Sequence, residues 1–165
     1  MASSKSKQGE RCKLKRWAAY AVPLSDGSFV PAVLGATNVL FGGCALAIID
    51  RQARSIDEGG ELTISNEADV LAFLLTHPTS LKDGSWPLLT ETVSIDPVVK
   101  EKLDAQKISN LVVYPVSVVR GFVEACIGIR DWDESLNERW KPQDLLLPGR
   151  RRPLRSRRRL SLLPK

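Results

Sequence analysis

The residues best suited to chemistry are one histidine and three cysteines, and their spacing does not favour a catalytic site. His77 is the sole histidine of the chain, and the cysteines are widely separated, with no Cys-X-X-Cys pair. As a catalytic base, His77 would need Cys44 or Cys126 brought beside it by the fold. Both cysteines lie inside apolar runs, which favours buried and unreactive thiols. We predict no catalytic residue, and a hydrolase that depends on His77 ranks last among the hypotheses.

Metal and nucleotide cofactors have no matching motif either. One histidine and separated cysteines cannot supply the ligand set of a zinc site. The carboxylates at 57–58 and 131–134 lack the alternating spacing of a calcium loop. The glycine pairs at 42–43 and 59–60 match neither the dinucleotide fingerprint nor the P-loop. The sequence therefore predicts no cofactor. A carboxylate pair for glycoside hydrolysis stays an open alternative, because its two members must be close in space and not in sequence.

Charge is distributed unevenly along the chain. Residues 149–165 carry eight basic residues and no acid, and residues 1–16 carry six basic residues and one acid. Between them, residues 17–148 hold ten basic against eighteen acidic residues, a net charge of −8. An acidic body attracts basic protein surfaces, whereas basic ends bind polyanions without specificity.

The arginine-rich end supports an alternative function, a small nucleic-acid-binding module. Its candidate phosphate contacts are Arg150, Arg151, Arg152, Arg157, Arg158 and Arg159. Such a run gives strongly salt-dependent binding. It contains no aromatic residue for stacking on bases, and it has no recognisable docking helix. We expect residues 149–165 to be a disordered, solvated tail that contacts polyanions nonspecifically at most.

Tryptophans beside acids form the most interface-like set in the sequence. Trp86, Trp132 and Trp140 combine large contact area with neighbouring charge, although each ring taken singly fits a core position better. The run at 131–134 directly follows a predicted helix and would be held firmly. The predicted partner contacts are Trp86, Asp131, Trp132, Asp133 and Glu134.

The first third of the chain predicts an antiparallel meander. Two apolar runs, 17–24 and 29–35, flank Asp26-Gly27, a strong signal for a tight hairpin turn. Pro31 cannot donate a ladder hydrogen bond, so it should lie at an edge or a bulge. The run 39–50 predicts a third strand, bent at its glycine pair.

The remainder mixes strands and helices. Residues 51–66 are predicted to form an exposed loop, 69–76 a strand (a short helix also fits), 78–84 a helical turn and 111–116 a further strand. A short surface helix should begin at Asp96-Pro97, since aspartate caps and proline suits the first helical position. The principal helix is predicted over 117–127, capped by Ser117, with Phe122 in the core and Gly128 ending it.

These elements indicate a single α+β domain with a twisted antiparallel sheet that could close toward a barrel, one principal helix and short surface helices. The 43% hydrophobic content suffices for a core. We expect a flexible basic N-terminus at 1–16, the domain at 15–148 and the tail at 149–165. No secretory signal or membrane span is evident, and the odd, unpaired cysteines favour the cytoplasm.

Four segments, taken in order, resemble the immunity protein 26 family of bacterial polymorphic toxin systems. They are YAVPLSDG at 20–27, CALAIID at 44–50, LKDGSWP at 81–87, and the stretch 122–133 together with LLLP at 145–148. The resemblance implies a cytoplasmic, non-catalytic protein that binds and neutralises a cognate toxin domain. It supplies no binding residues to carry over, and the family pattern differs from this chain at 29–31 and 125–127.

Overall fold

A computed structural model describes residues 13–55, 57, 61–104 and 112–153. Its strands are β1 (Ala19–Pro23), β2 (Phe29–Leu34), β3 (Cys44–Ile49), β4 (Thr63–Ile64), β5 (Val70–Thr76), β6 (Leu88–Thr90), β7 (Ser94–Ile95) and β8 (Val113–Tyr114). Its helices are α1 (Thr79–Lys82), α2 (Pro97–Lys102), α3 (Val116–Ile127) and α4 (Pro142–Leu145), with 3-10 turns at Leu40–Gly42 and Glu67–Asp69.

The main sheet has six strands in the order β6-β1-β2-β3-β5-β8, and β4 pairs with β7 in a small second sheet. The α+β prediction is confirmed, with one main helix beside a mainly antiparallel sheet. The sheet is open, with β6 and β8 at its two edges, so it does not close into a barrel. The predicted antiparallel arrangement fails at two pairs, since β8 runs parallel to β5 and β7 runs parallel to β4.

The β1–β2 hairpin forms at the predicted turn. Gly27 has a φ of 82°, a left-handed conformation that glycine adopts without strain. One carboxylate oxygen of Asp26 accepts hydrogen bonds from the Ser28 N–H (2.9 Å) and the Ser28 hydroxyl (2.5 Å). The hydroxyl bond is the main cause that lowers the pKa of Asp26. β1, β2 and β3 follow as the predicted meander.

Pro31 lies inside the sheet, at an interruption between β2 and β3. The ladder with β3 covers only Ala32 to Leu34, and the next contact of β2 on that side is the bridge from Phe29 to Ala53. The N–H of Leu34 donates to the carbonyl of Ala18, which directly precedes β1. By alternation, the backbone N–H side of the odd-numbered residues of β2 is directed toward β3. Pro31, which has no N–H, therefore lies where β3 provides no hydrogen-bond partner. The prediction of a position at a sheet edge is wrong.

Two predicted segments differ from the structure because very short elements leave no periodic signal. The third strand begins at Cys44, and the glycine pair before it belongs to a tight turn. The predicted loop 51–66 contains β4, whose Ile64 is buried, and Ala53 is buried at its bridge; residues 56 and 58–60 lie outside the described ones. The strand prediction for 69–76 is confirmed as β5.

The main sheet is buried on both faces. Even-numbered side chains of β1 to β3, such as Tyr20 and Leu46, join α3 in the larger core, with Phe122 fully buried. Odd-numbered side chains, such as Val33 and Ala47, meet a second layer built from α2, β4 and β7. Antiparallel sheets usually keep one solvated face, so two covered faces explain why all six residues of β3 are apolar and buried.

The second layer lies very close to the sheet. A Cβ on Gly35 would be 2.7 Å from the carbonyl oxygen of Leu103, nearer than real atoms approach. Ala19 and Ala47 are fully buried in the same core. Small side chains therefore set the distance between α2 and the sheet.

Both predicted helix starts can be compared with the structure. Asp96 caps α2 as predicted, since its carboxylate accepts a hydrogen bond from the Val98 N–H at 2.8 Å. The prediction for Ser117 is wrong: Pro115 is the N-cap of α3, and Ser117 lies exposed within the first turn. Gly128 ends α3 with a φ of 81°, as expected. Among the described helices, each is too short or too polar to cross a bilayer.

Candidate binding surfaces

The cysteines that the structure describes are buried, as predicted. The thiol of Cys44 donates to the Thr76 carbonyl at 3.4 Å, and burial raises its pKa to about 12. At neutral pH this thiol is protonated and therefore a poor nucleophile. His77 is exposed beyond the end of β5, and within the described residues no hydrogen bond joins it to Cys44 or Cys126. Cys12 lies outside the described residues.

In the part of the chain that the structure describes, no group of three or more His, Cys, Asp or Glu side chains could hold a metal ion. The run at 131–134 is part of a surface loop instead.

Residues 129–141, which we name the acidic loop, follow α3 and are held by buried side chains. Trp132 is 6% exposed and Leu136 is 9% exposed, and both belong to the larger core. The Trp140 ring meets Tyr114 edge-on, with centroids 5.2 Å apart. The loop thus has a fixed base without regular secondary structure.

Local hydrogen bonds fix the backbone of the acidic loop. Asp131 accepts from the N–H of Asp133 at 3.0 Å. Asn137 accepts from two backbone N–H groups, those of Arg139 (2.8 Å) and Trp140 (3.0 Å). Short polar side chains that bond to nearby backbone in this way favour turns over helix, which explains why α3 does not continue here.

A glycine within α3 lets the acidic loop lie against the helix. A Cβ on Gly121 would be 2.6 Å from a terminal guanidinium nitrogen of Arg130 and 3.2 Å from Leu136. Glycine inside a helix costs about 1 kcal/mol relative to alanine. The guanidinium placed there pairs with Glu134 at 3.0 Å.

Asp131, Asp133 and Glu134 are all exposed, whereas the two predicted tryptophans are buried. Trp86 is 3% exposed, and its backbone N–H donates to the Ser80 carbonyl at 2.8 Å. Trp132 and Trp86 therefore act as anchors beneath the surface, and neither offers a broad ring face to a partner. Their role as direct contacts stays a prediction that this arrangement does not favour.

Arg152 lies on the acidic loop. Its guanidinium is 3.7 Å from the Asp133 carboxylate and 5.8 Å from the centroid of the Trp132 ring. The Asp133 side chain nonetheless keeps 76% of its surface exposed. This Asp133–Trp132 corner therefore combines a carboxylate and an aromatic edge that receive one guanidinium and leave room for another cation.

Arg150 also contacts the body of the protein. It donates to the carbonyls of Glu67 (3.2 Å) and Ala68, and it lies 3.7 Å from Asp50. Among the described arginines proposed as nucleic-acid contacts, Arg150 and Arg152 are thus engaged within the chain, and Arg151 is exposed. Arg157, Arg158 and Arg159 lie outside the described residues, as do residues 1–12, so the predicted disorder of both ends stays a prediction.

A second surface, which the sequence did not predict, surrounds the turn between β2 and β3. Phe41 is 84% exposed, and its φ of 55° and ψ of 29° are left-handed. Such a conformation costs a residue other than glycine about 1–2 kcal/mol. Asn38 and Gly42 also have positive φ, at 54° and 74°. The turn therefore holds a large apolar side chain in water on a strained backbone.

The glycines after Phe41 line an open cleft of about 680 Å³, which we name the Phe41 cleft. Its lining includes Lys13, Leu14, Asn38, Lys82 and Asp83, together with the buried Cys44. His77 is not among its lining residues. The volume is within the range of pockets that bind small molecules, about 300–1,000 Å³.

Comparisons of the chain with protein-family models, with curated proteins and with solved structures find no match.

Proposed function

We propose that this protein is a non-catalytic immunity protein that binds and neutralises a toxin domain in the cytoplasm, with the acidic loop as its main contact. The observation that supports this most directly is the Asp133–Trp132 corner. It already receives a guanidinium from Arg152 of the same chain, while most of the Asp133 side chain stays exposed. A basic side chain of a toxin would find the same carboxylate and aromatic edge.

The charge of the body favours a basic partner. Residues 17–148 carry a net charge of −8, and Asp131, Asp133 and Glu134 are exposed on one ordered loop. A nuclease active site, which must attract phosphate, offers the complementary basic surface. Complementary charge speeds association and selects partners more than it adds affinity. The proposed binding should therefore weaken as ionic strength rises.

The segments that resemble the immunity family lie mostly in the scaffold. They correspond to β1 with its turn, to β3, to α1 with Trp86, and to α3 continuing to Trp132. The side chains that fill the core within these segments include Tyr20, Leu46, Trp86, Phe122 and Trp132. The resemblance therefore supports the architecture and the class of function, and the contacts are proposed from the exposed residues of this chain.

The test begins with the gene directly upstream of this one, where we expect a large secreted protein with a toxic C-terminal domain. We expect that domain to copurify with the full chain and to lose its toxicity when both are expressed. Asp133→Asn should weaken binding at least tenfold, about 1.4 kcal/mol. Asp104→Asn is the matched control, because Asp104 is exposed after α2, which covers the opposite face of the sheet.

Two results would count against the proposal at different levels. A toxin domain that neither copurifies nor is neutralised would overturn the function. Neutralisation that is unchanged by Asp131→Asn, Asp133→Asn and Glu134→Gln together would keep the function and reject the acidic loop as its contact surface.

A further inference from the structure

The Phe41 cleft carries positive charge in an otherwise acidic body. Lys13 and Lys82 both line it, and both are exposed. Over the described ranges, neither lysine forms an ion pair with a carboxylate, whereas Lys15 pairs with Glu91 and Lys102 pairs with Glu67. Two lysines without partners in one cleft are suited to an anion, and a lysine binds phosphate as a point charge.

Phe41 is the apolar residue next to the lining of the cleft. It directly precedes Gly42 and Gly43, which line the cleft, and it is the most exposed of the large hydrophobic residues described. Its left-handed backbone holds the ring outward, although none of the residues that the structure describes covers it. An exposed aromatic ring one residue away from a cleft lined by lysines suits a nucleotide, whose base stacks on an aromatic ring while its phosphate is neutralised.

Asp83 narrows the class of ligand further. Its carboxylate lines the cleft and accepts a hydrogen bond from the Ser85 N–H at 2.8 Å, which holds it in place. Hydrogen bonds from Ser85 lower its pKa, so it is ionised at neutral pH. A carboxylate repels a bare anion, but it accepts hydrogen bonds from hydroxyl and amino groups. The ligand should therefore carry both phosphate and such donors.

We infer that the Phe41 cleft binds a nucleotide unit, with the base on Phe41, phosphate between Lys13 and Lys82, and a sugar hydroxyl or base amine bonded to Asp83. The unit could belong to a free ribonucleotide or to a single strand, which share this chemistry. This site is separate from the acidic loop and does not depend on toxin binding.

Binding is measured with the full chain and a fluorescein-labelled ten-nucleotide uridine strand, by anisotropy, with AMP and ATP as competitors. We expect Phe41→Ala and Lys82→Gln each to weaken binding at least fivefold without changing the melting temperature. Phe41→Trp should retain it. Full competition by AMP assigns the site to free nucleotides, and binding of the strand alone assigns it to single strands.

A matched variant separates the cleft from the basic end. Changing Arg157, Arg158 and Arg159 to glutamine should leave intact the part of strand binding that Phe41→Ala weakens. Loss of all binding in this variant, with Phe41→Ala unaffected, would overturn the inference. So would a lack of binding to every probe at millimolar concentration, or equal competition by phosphotyrosine, which would indicate a phosphopeptide site.

Discussion

The acidic loop and the β2–β3 turn each carry an aromatic residue, and they place it in opposite ways. In the acidic loop the Trp132 ring is buried and carboxylates face the solvent. In the turn the Phe41 ring is exposed, and the backbone beneath it is left-handed. The loop gains stability from its aromatic residue, whereas the turn loses stability by holding its own. The difference teaches that a buried ring here serves the fold, while an exposed, strained ring calls for an explanation from binding.

The largest expected effect comes from truncating the buried ring of Trp132, with Phe41→Ala as its counterpart on the exposed side. Trp132→Ala should lower the free energy of unfolding by about 3–5 kcal/mol, because it removes a buried aromatic side chain. Phe41→Ala should change it by less than about 0.5 kcal/mol, since the ring contacts mainly water. Urea unfolding of the two variants measures both values. Equal losses would show that the two aromatic residues do not differ in this way.

The free energy of unfolding should decrease at alkaline pH because of Cys44, which lines the Phe41 cleft. The pKa of Cys44 is raised to about 12 by burial, while the unfolded thiol titrates near 9. The stability that depends on the neutral thiol is therefore complete below pH 9 and is lost as pH rises toward 12, by up to about 1.4 kcal/mol per pH unit. Cys44→Ala should show a shallower decline in unfolding free energy between pH 8.5 and 10.5 than the native chain. The same pH dependence of the unfolding free energy in both proteins would contradict a buried, neutral Cys44 thiol.

Relief of the strained turn gives a smaller effect with the opposite sign. Phe41→Gly should raise the free energy of unfolding by about 1 kcal/mol, because glycine adopts a left-handed conformation without the steric penalty. Gly42→Ala is the matched control and should destabilise, since the φ of Gly42 is 74°. Thermal unfolding of both variants checks the signs. Destabilisation by Phe41→Gly would mean that the ring supports the fold after all.

A further small effect on stability is expected for Arg152→Ala. The ion pair with Asp133 is solvent-exposed on one side and should contribute less than about 1 kcal/mol. If the acidic loop binds a basic toxin surface, removing this competing guanidinium should instead strengthen toxin binding. Urea unfolding measures the change in stability, and calorimetric titration with the toxin domain measures the change in binding. A large loss of stability together with weaker binding would make Arg152 part of the loop's support.

Much of the architecture was predictable because local signals specify it. Asp26-Gly27 fixes the first hairpin, Asp96 caps α2, and the apolar face of α3 around Phe122 agrees with the core. These features depend on residues within one turn or one helix. Sequence reasoning could therefore find them without knowing the partners across the fold.

The parts that escaped prediction depend on distant partners. β4 and β8 are two residues long, so neither shows a period, and each pairs in parallel with a strand remote in sequence. The contacts of Arg150 with Glu67 and Ala68 join residues more than eighty positions apart. For the Phe41 turn a signal did exist, since Asn38 and the glycine pair favour left-handed backbone, but the same run also fitted a strand.

The small residues between the sheet and α2 have a consequence for how this sequence can vary. With Gly35 against Leu103, and alanines at 19 and 47 beneath the second layer, enlarging any one of them pushes the two layers apart. Tolerated substitutions there should come in compensating pairs, one side chain growing as its neighbour shrinks. Related chains, once aligned, should show correlated changes at these positions while the acidic loop diversifies independently.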